Sequence, residues 1–227
     1  MFFTPSYNSM KNLCEGLYRE GYIQSKKVLD SMMEVDRADF ALNRPYVDSP
    51  QPIKYNVTIS APHMHAYCLE KLKDFLKPGG RSLDVGFGSG YLTVAMSKMM
   101  DDQGISVGIE HIEQLCEFAK ENINKNHKNL LDGRKVILVK GDGRRGYEKY
   151  APYNAIHVGA ASPDIPKYLV QQLAIGGRLV VPVGAQGGKQ YITIIDKDQN
   201  GNIKISKELG VSYVPLTSVE KQLNGYY

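Results

Sequence analysis

Tryptophan is missing altogether from this 227-residue chain, and cysteine occurs only three times. Cys14, Cys68 and Cys116 are odd in number and show no paired spacing. A disulfide scaffold is therefore excluded, and reduced, mostly buried thiols in a cytoplasmic protein are expected. No apolar run approaches the roughly 18 residues that a membrane span needs, so no membrane partner is expected. The opening MFFTPSYNSM has neither a basic n-region nor an apolar h-region, which argues against a secretory signal. A net charge of +4 falls short of the dense basic stripe of a dedicated nucleic-acid binder. The basic run NKNHKNLLDGRKV reads as a solvated helix end and turn. There is no internal repeat and no low-complexity segment. What remains is ordinary: 42% hydrophobic and 23% charged residues, the make-up of one globular domain over residues 1–227.

The pattern divides that domain at about residue 56. Residues 1–56 read as a helical extension and linker. Leu13, Leu17 and Tyr18 share one helical face, as do Val28, Met32 and Val35. Ser9 and Ser25 are candidate N-caps and Gly21 a candidate stop. Pro45, Pro50 and Pro52 then impose an extended connection. Residues 57–227 alternate: a helix in HMHAYCLEKLKDFL, a strand in RSLDVG, helix 91–100, a strand in SVGIEH, helix 112–126, and strands in KVILVKGD and YNAIHVGA. Helix 163–174 follows, then strands in GRLVVPVG and QYITIIDKD, and a last strand near GVSYVPL. Such alternation specifies an α/β fold with a Rossmann-like, doubly wound parallel sheet. In DKDQNGNIK, Asn200-Gly201 supplies the positive φ angles of a tight hairpin, so the C-terminal end adds an antiparallel strand pair.

The strand RSLDVGFGSGYL runs into Gly86-Phe87-Gly88-Ser89-Gly90 and then a helix. Glycines there allow a tight turn and close approach of a ligand to the main chain. The spacing is G-x-G-x-G, with Tyr91 where a dinucleotide fingerprint wants a small residue. Asp84, just before the glycines, would repel a pyrophosphate but suits a cation such as the amino group or sulfonium of S-adenosylmethionine. Glu110 closes the next strand, where an acid accepts ribose hydroxyls. Together these features favour S-adenosylmethionine over NAD. Asp142, in VKGDGRRG, closes the third strand at the same edge and suits an adenine amino group; a plain Asp-Gly turn is the alternative there.

Other chemistries fit poorly. The loop after YNAIHV offers Gly159, Ala160, Ala161 and Ser162, without the Asn/Asp-Pro-Pro-aromatic motif common in enzymes that methylate nucleic-acid amines. In TISAPHMHAYCLEKL, Ser60 lies outside any G-x-S-x-G elbow, which argues against a hydrolase. His63 and His65 are two apart, whereas helical metal ligands prefer four, so no metal is expected. Ser60 with Pro62 also reads as a helix start, Ser60 acting as the cap.

The segments YVDSPQPI, TISAPHMHAY, LDVGFGSGYLT, GDGRRGY, APYNAIHVGAA, GGRLVVPVG and GVSYVPLT together resemble the protein-L-isoaspartate O-methyltransferases, in particular the eukaryotic form, from about residue 8 to about residue 222. The resemblance implies a class I S-adenosylmethionine-dependent methyltransferase that repairs damaged proteins as a cytoplasmic monomer. Such an enzyme methylates the free α-carboxylate of L-isoaspartyl residues and releases S-adenosyl-L-homocysteine; the ester closes to a succinimide that hydrolyses partly to normal aspartate. It further implies that Ser60 is the active-site serine, that Val57, Thr58, Ile59 and His65 close over cofactor and substrate, and that Asp84, Gly86 and Gly88 hold the amino-acid end of the donor. Glu110 and His111 would meet the ribose, Asp142 and Gly143 the adenine, and Thr217 and Gln222 would add C-terminal contacts. Phe87 stands where the family often has a small residue, and the final LNGYY lacks the tryptophan and basic tail of some relatives. A methyltransferase of the same fold acting on a small-molecule or RNA acceptor is one rival reading; a non-catalytic module that binds S-adenosylmethionine is another. The intact set Ser60, Asp84, Glu110 and Asp142 speaks against the second.

Overall fold

The computed structural model describes residues 6–224. The first five residues of the opening stretch and the final Gly-Tyr-Tyr of the tail lie outside the described residues.

Helix α1 (Met10–Arg19) starts where the Ser9 side chain accepts the Asn12 N–H, and α2 (Lys26–Glu34) where Ser25 accepts that of Val28. Gly21 follows α1 with φ +80°, a value that suits glycine at a helix end. Helix α1 buries Met10, Leu13, Cys14 and Leu17. Tyr18 was expected on that stripe but is 50% exposed, because it lies a further 100° round the helix from Leu17. A short 3₁₀ turn (Arg37–Asp39) leads to a small antiparallel pair, β1 (Gln51–Pro52) with β2 (Thr58–Ile59).

Helix α3 (Pro62–Leu72) begins without a side-chain cap. Ala61, not Ser60, holds the N-cap position. Pro62 replaces the cap, since its fixed φ and missing N–H suit the first turn. The Ser60 side chain is therefore not used by the helix.

The main sheet has seven strands: β3 (Arg81–Val85), β4 (Ile105–Glu110), β5 (Val136–Lys140), β6 (Tyr153–Val158), β7 (Leu173–Val183), β8 (Gln190–Lys197) and β9 (Ile203–Val211). They lie in the order β5-β4-β3-β6-β7-β8-β9. The pairs from β5 through β7 are parallel, and β7-β8 and β8-β9 are antiparallel. Intervening helices are α4 (Tyr91–Lys98), α5 (Glu113–Asn126), α6 (Lys128–Asp132) and α7 (Lys167–Gln171), with α8 (Val219–Leu223) last.

The two-residue period of the strands divides the core. Leu83, Val85, Val107, Ile109, Ile156 and Val158 face one way and pack under α7. The opposite face carries α1 to α5 and a larger cluster that includes Leu13, Leu17, Met32, Leu69 and Val94, so the N-terminal extension shares the core of the cofactor-type fold. Ser82, Asp84 and Ser106 lie on this helix-covered face: the Ser82 hydroxyl donates to Ser106 Oγ at 3.0 Å, and Ser106 to the Thr93 carbonyl at 2.8 Å.

Three boundaries differ from the sequence reading. Helix 163–174 shrinks to α7, because Pro163 and Pro166 bar an earlier start and Leu173 already pairs with Tyr153. The last strand, β9, lies earlier than GVSYVPL; beyond Val211 the chain makes an isolated bridge, the Val214 carbonyl and Leu216 N–H bonding Ala161 at 2.8 Å each. In the β8-β9 hairpin only Gly201 has positive φ, at +82°. Asn200 is held instead by its N–H, which donates to Asp198 Oδ1 at 2.8 Å, so the turn needs one left-handed residue and not two.

Candidate active site

Order reverses between β3 and β6, since β4 lies on one side of β3 and β6 on the other. In open α/β sheets ligands bind at the carboxyl end of the strands at that point. Here the ends of β3 and β6 are tied together, the Gly159 N–H donating to the Val85 carbonyl at 2.8 Å. A cavity opens above them. Its floor is Val85, Gly86, Ile109, Glu110, Gly143 and Gly159. Val57 and the segment Val214–Thr217 form its sides, with His111 and Gln222.

A second cavity adjoins it. Thr58, Ser60, Ala61 and Met64 line one side, and Val211, Ser212 and Tyr213 the other. Gly159, Val214 and Pro215 wall both cavities. Tyr213, half-buried, thus faces Ser60 across this second cavity.

Glu110 is only 5% exposed. Its Oε1 accepts the N–H groups of His111 at 2.8 Å and Ile112 at 3.2 Å, and its Oε2 that of Gly88 at 3.3 Å. Burial nevertheless outweighs these donors and raises its pKa. Such a carboxylate gains from further hydroxyl donors. Gly86, at φ +74°, leaves open space where a Cβ would stand. At Gly143 a Cβ would run into Val85 Cγ1 at 2.5 Å, so the loop after β5 can lie against β3 only as glycine.

The cover comes from sequence-distant segments. His111 Nε2 lies 2.7 Å from Gln222 Oε1, Asn56 Nδ2 donates to the Gln222 carbonyl at 3.3 Å, and Gln222 Nε2 to the Tyr55 carbonyl at 3.4 Å. Helix α8 is thereby fastened to the loop before β2 and to the end of β4.

Of the residues singled out in the sequence, Val57, Gly86, Glu110, His111, Gly143, Thr217 and Gln222 line the first cavity, and Thr58 and Ser60 the second. Five do not line either. Ile59 is buried in the core. His65 is 6% exposed, stacked on Tyr91 at 4.8 Å, and kept neutral by burial and by Arg37. Gly88 stands behind Val57, 3.6 Å from the position of its would-be Cβ. Asp142 borders a neighbouring surface cleft with His111 and Lys140, its carboxylate engaged by Arg144 Nη2 at 2.7 Å.

Asp84 is 1% exposed and lies beneath the loop. Its two oxygens take the Thr93 hydroxyl at 2.6 Å and His157 Nδ1 at 2.8 Å. Burial alone would lower the His157 pKa, but the hydrogen bond to Asp84, with Cys68 alongside, outweighs it and raises it to about 10. The pair is sealed between β3, β6 and α4.

A model of the protein-L-isoaspartate(D-aspartate) O-methyltransferases matches residues 8–221. The chain belongs to this family. The protein-L-isoaspartate O-methyltransferase of Caenorhabditis elegans is 48% identical over 99% of both chains. Protein-L-isoaspartate O-methyltransferase 1 of Arabidopsis thaliana is 48% identical over 99% of this chain and 98% of its own. Among solved structures, a beta-aspartate methyltransferase from Plasmodium falciparum in complex with S-adenosyl-L-homocysteine superposes with a TM-score of 0.87 at 36% identity, covering 93% of this chain and 99% of that one.

Sequence reasoning about this isoaspartate methyltransferase chain missed Arg37, Thr93, His157 and Tyr213. His157 had a signal: in NAIHVG it falls on the same strand face as Ala155, turned toward the helices. Arg37 and Tyr213 had none, because their burial depends on α3 and on the second cavity. The departure at Phe87 has its own accommodation. Phe87 is 5% exposed, and its ring occupies the space left by Gly108 on β4, where a Cβ would meet Phe87 Cδ1 at 2.7 Å.

Proposed function

We propose that this chain is a single-domain repair enzyme. It moves a methyl group from S-adenosyl-L-methionine to the free α-carboxylate of L-isoaspartyl residues in damaged proteins and peptides, and releases S-adenosyl-L-homocysteine. The methyl ester then closes to a succinimide that opens partly to normal aspartate. The observation that carries the reading is the pair of adjoining cavities: one is glycine-floored with a buried acid, the other holds a serine, and Gly159, Val214 and Pro215 border both.

The first cavity suits the cofactor on its own geometry. Gly86 gives the amino-acid end access to the main chain, the Glu110 carboxylate is poised for the ribose hydroxyls beside His111, and Gly143 admits the adenine edge. Asp84 and Gly88 act from behind the wall. Asp84 fastens the end of β3 to α4 and β6, and Gly88 steadies Glu110. Asp142 is committed to Arg144, so adenine contact at this point falls to the backbone around residues 142–143. Val57, with Thr217 and Gln222, closes the top.

When bound, S-adenosyl-L-methionine supplies an already activated methyl on its sulfonium. The acceptor carboxylate, with a pKa near ~4, is already ionised at neutral pH, so no general base is needed. The buried, neutral His65 accordingly plays no proton-transfer part. What the residues contribute is alignment in a pocket shielded from water. Ser60, free of capping duty and lining the second cavity, donates its hydroxyl to one carboxylate oxygen, and Thr58 borders the same cleft. The free cysteines support a cytoplasmic location, the mild net charge speaks against nucleic-acid partners, and the family resemblance implies a monomer; among the described residues no helix is long and apolar enough to cross a membrane.

The test is transfer of labelled methyl groups to a peptide containing L-isoaspartate, beside the same peptide with normal L-aspartate. Base-labile label on the isoaspartyl peptide alone is the expected result. Label on neither, with the cofactor still bound, would replace this reading with that of a non-catalytic module.

A further inference from the structure

Arg37 sits in the turn after α2, far from the glycine loop in sequence, and is 0% exposed. Its Nη2 donates to the Ser60 carbonyl at 2.8 Å, its Nη1 lies 3.4 Å from His65 Nδ1, and its Nε has no partner. Tyr91 packs beneath, its ring centre 5.9 Å from the guanidinium carbon. None of the ion pairs among the described residues includes Arg37. Asp48, whose charge reaches it, makes no contact with it and instead lies 2.9 Å from His63 Nδ1. Burial lowers the Arg37 pKa only to about 10, so the group is cationic at neutral pH.

A buried cation without a contacting counter-charge is unfavourable unless something else answers it. The other side of residue 60 supplies a candidate. While the Ser60 carbonyl points to Arg37, the residue also lines the second cavity, where the proposed acceptor brings a carboxylate. His65, the other ring beside Arg37, is neutral and cannot supply or cancel charge there.

We propose that Arg37 is a positioning residue for the acceptor: it fixes the Ser60 main chain and presents, through a dry protein wall, the positive charge that the substrate carboxylate answers. The inference rests on the isoaspartyl reading above. The expected effect is on binding. Methyl transfer neutralises the acceptor carboxylate, so a nearby cation favours the bound ground state at least as much as the transition state. Loss of the charge therefore raises the KM for the peptide and leaves kcat nearly unchanged.

Steady-state kinetics of the wild type, R37Q and R37K with an isoaspartyl peptide and S-adenosyl-L-methionine test this. A wild type without turnover would sink the reading of the reaction itself. With an active wild type, R37Q should raise the peptide KM roughly tenfold, the size of a charge-assisted contact. The KM for S-adenosyl-L-methionine should stay within about twofold, and R37K should recover most of the peptide affinity, since it keeps the charge. If R37K and R37Q lose activity alike, or both KM values move together, Arg37 is only a structural support and the proposal fails. The melting temperature of ligand-free R37Q should stay within a few degrees of wild type. Failure of R37Q to fold would also overturn the proposal, because a charge awaiting its partner cannot be what holds the empty protein together.

Discussion

Ser60 is available because Pro62 starts α3 without it. A residue that would ordinarily cap the helix instead lines the second cavity. Ser60→Ala should therefore leave the melting temperature nearly unchanged. It should lower kcat/KM on an isoaspartyl peptide roughly 10- to 100-fold, the value of one hydrogen bond to a charged group. Near-normal kcat/KM would remove Ser60 from the site. The His157–Asp84 pair makes a different statement. The folded pKa of His157, about 10, lies above the ordinary value near ~6.5. Its stabilisation is thus complete below the unfolded value and is lost as pH rises toward the folded one. Thermal melts of the ligand-free protein should fall by several degrees between about pH 7 and pH 10, and His157→Asn should flatten that slope. A wild-type curve as flat as the variant's would mean that the pair adds nothing. The acids at the strand ends were legible because they stand at the carboxyl edge of alternating strands. The partners of Asp84 were not: an acid next to a glycine loop looks the same in sequence whether it faces the ligand or, as here, Thr93 and His157 below it.

At the scale of elements, strand and helix order was readable because the hydrophobic period changes from 2 to 3.6 at each junction. Boundaries set by long-range pairing were not. Helix α7 stops at Gln171 because β7 begins at Leu173 against Tyr153, a contact no local pattern encodes. The glycine loop was legible as a turn, yet one of its glycines is held by a helix remote from it. Gly90, at φ +88°, would place a Cβ 3.2 Å from Ala119 Cβ and 3.3 Å from Ile123 Cδ1 on α5. Gly90→Ala should cost about 1–2 kcal/mol in backbone strain, with more from displacing α5. The melting temperature should fall by roughly 5 °C, without any change in Ser60 or its cavity. An unchanged melting temperature would show that the loop relaxes freely.

Across the whole molecule, the cover of the cofactor cavity joins residues 111 and 166 positions apart, His111 and Asn56 each bonding Gln222. Such closure lies beyond any reading of local sequence; only the resemblance pointed to Gln222. S-adenosyl-L-homocysteine at about 1,000 times its Kd should stabilise the protein by about 4 kcal/mol, or roughly 10 °C in melting temperature. Gln222→Ala should reduce that shift at the same ligand concentration, beyond the degree or two by which it lowers the ligand-free melt. An undiminished shift would mean that α8 does not close the cavity. The wall shared by the two cavities has a kinetic consequence. Gly159, Val214 and Pro215 border both cavities. With donor and acceptor seated as proposed, a peptide at Ser60 should brace the side of the neighbouring chamber and slow departure of the spent cofactor. Turnover on tightly held peptides would then be limited by the sequence of departures, with the methylated chain leaving first.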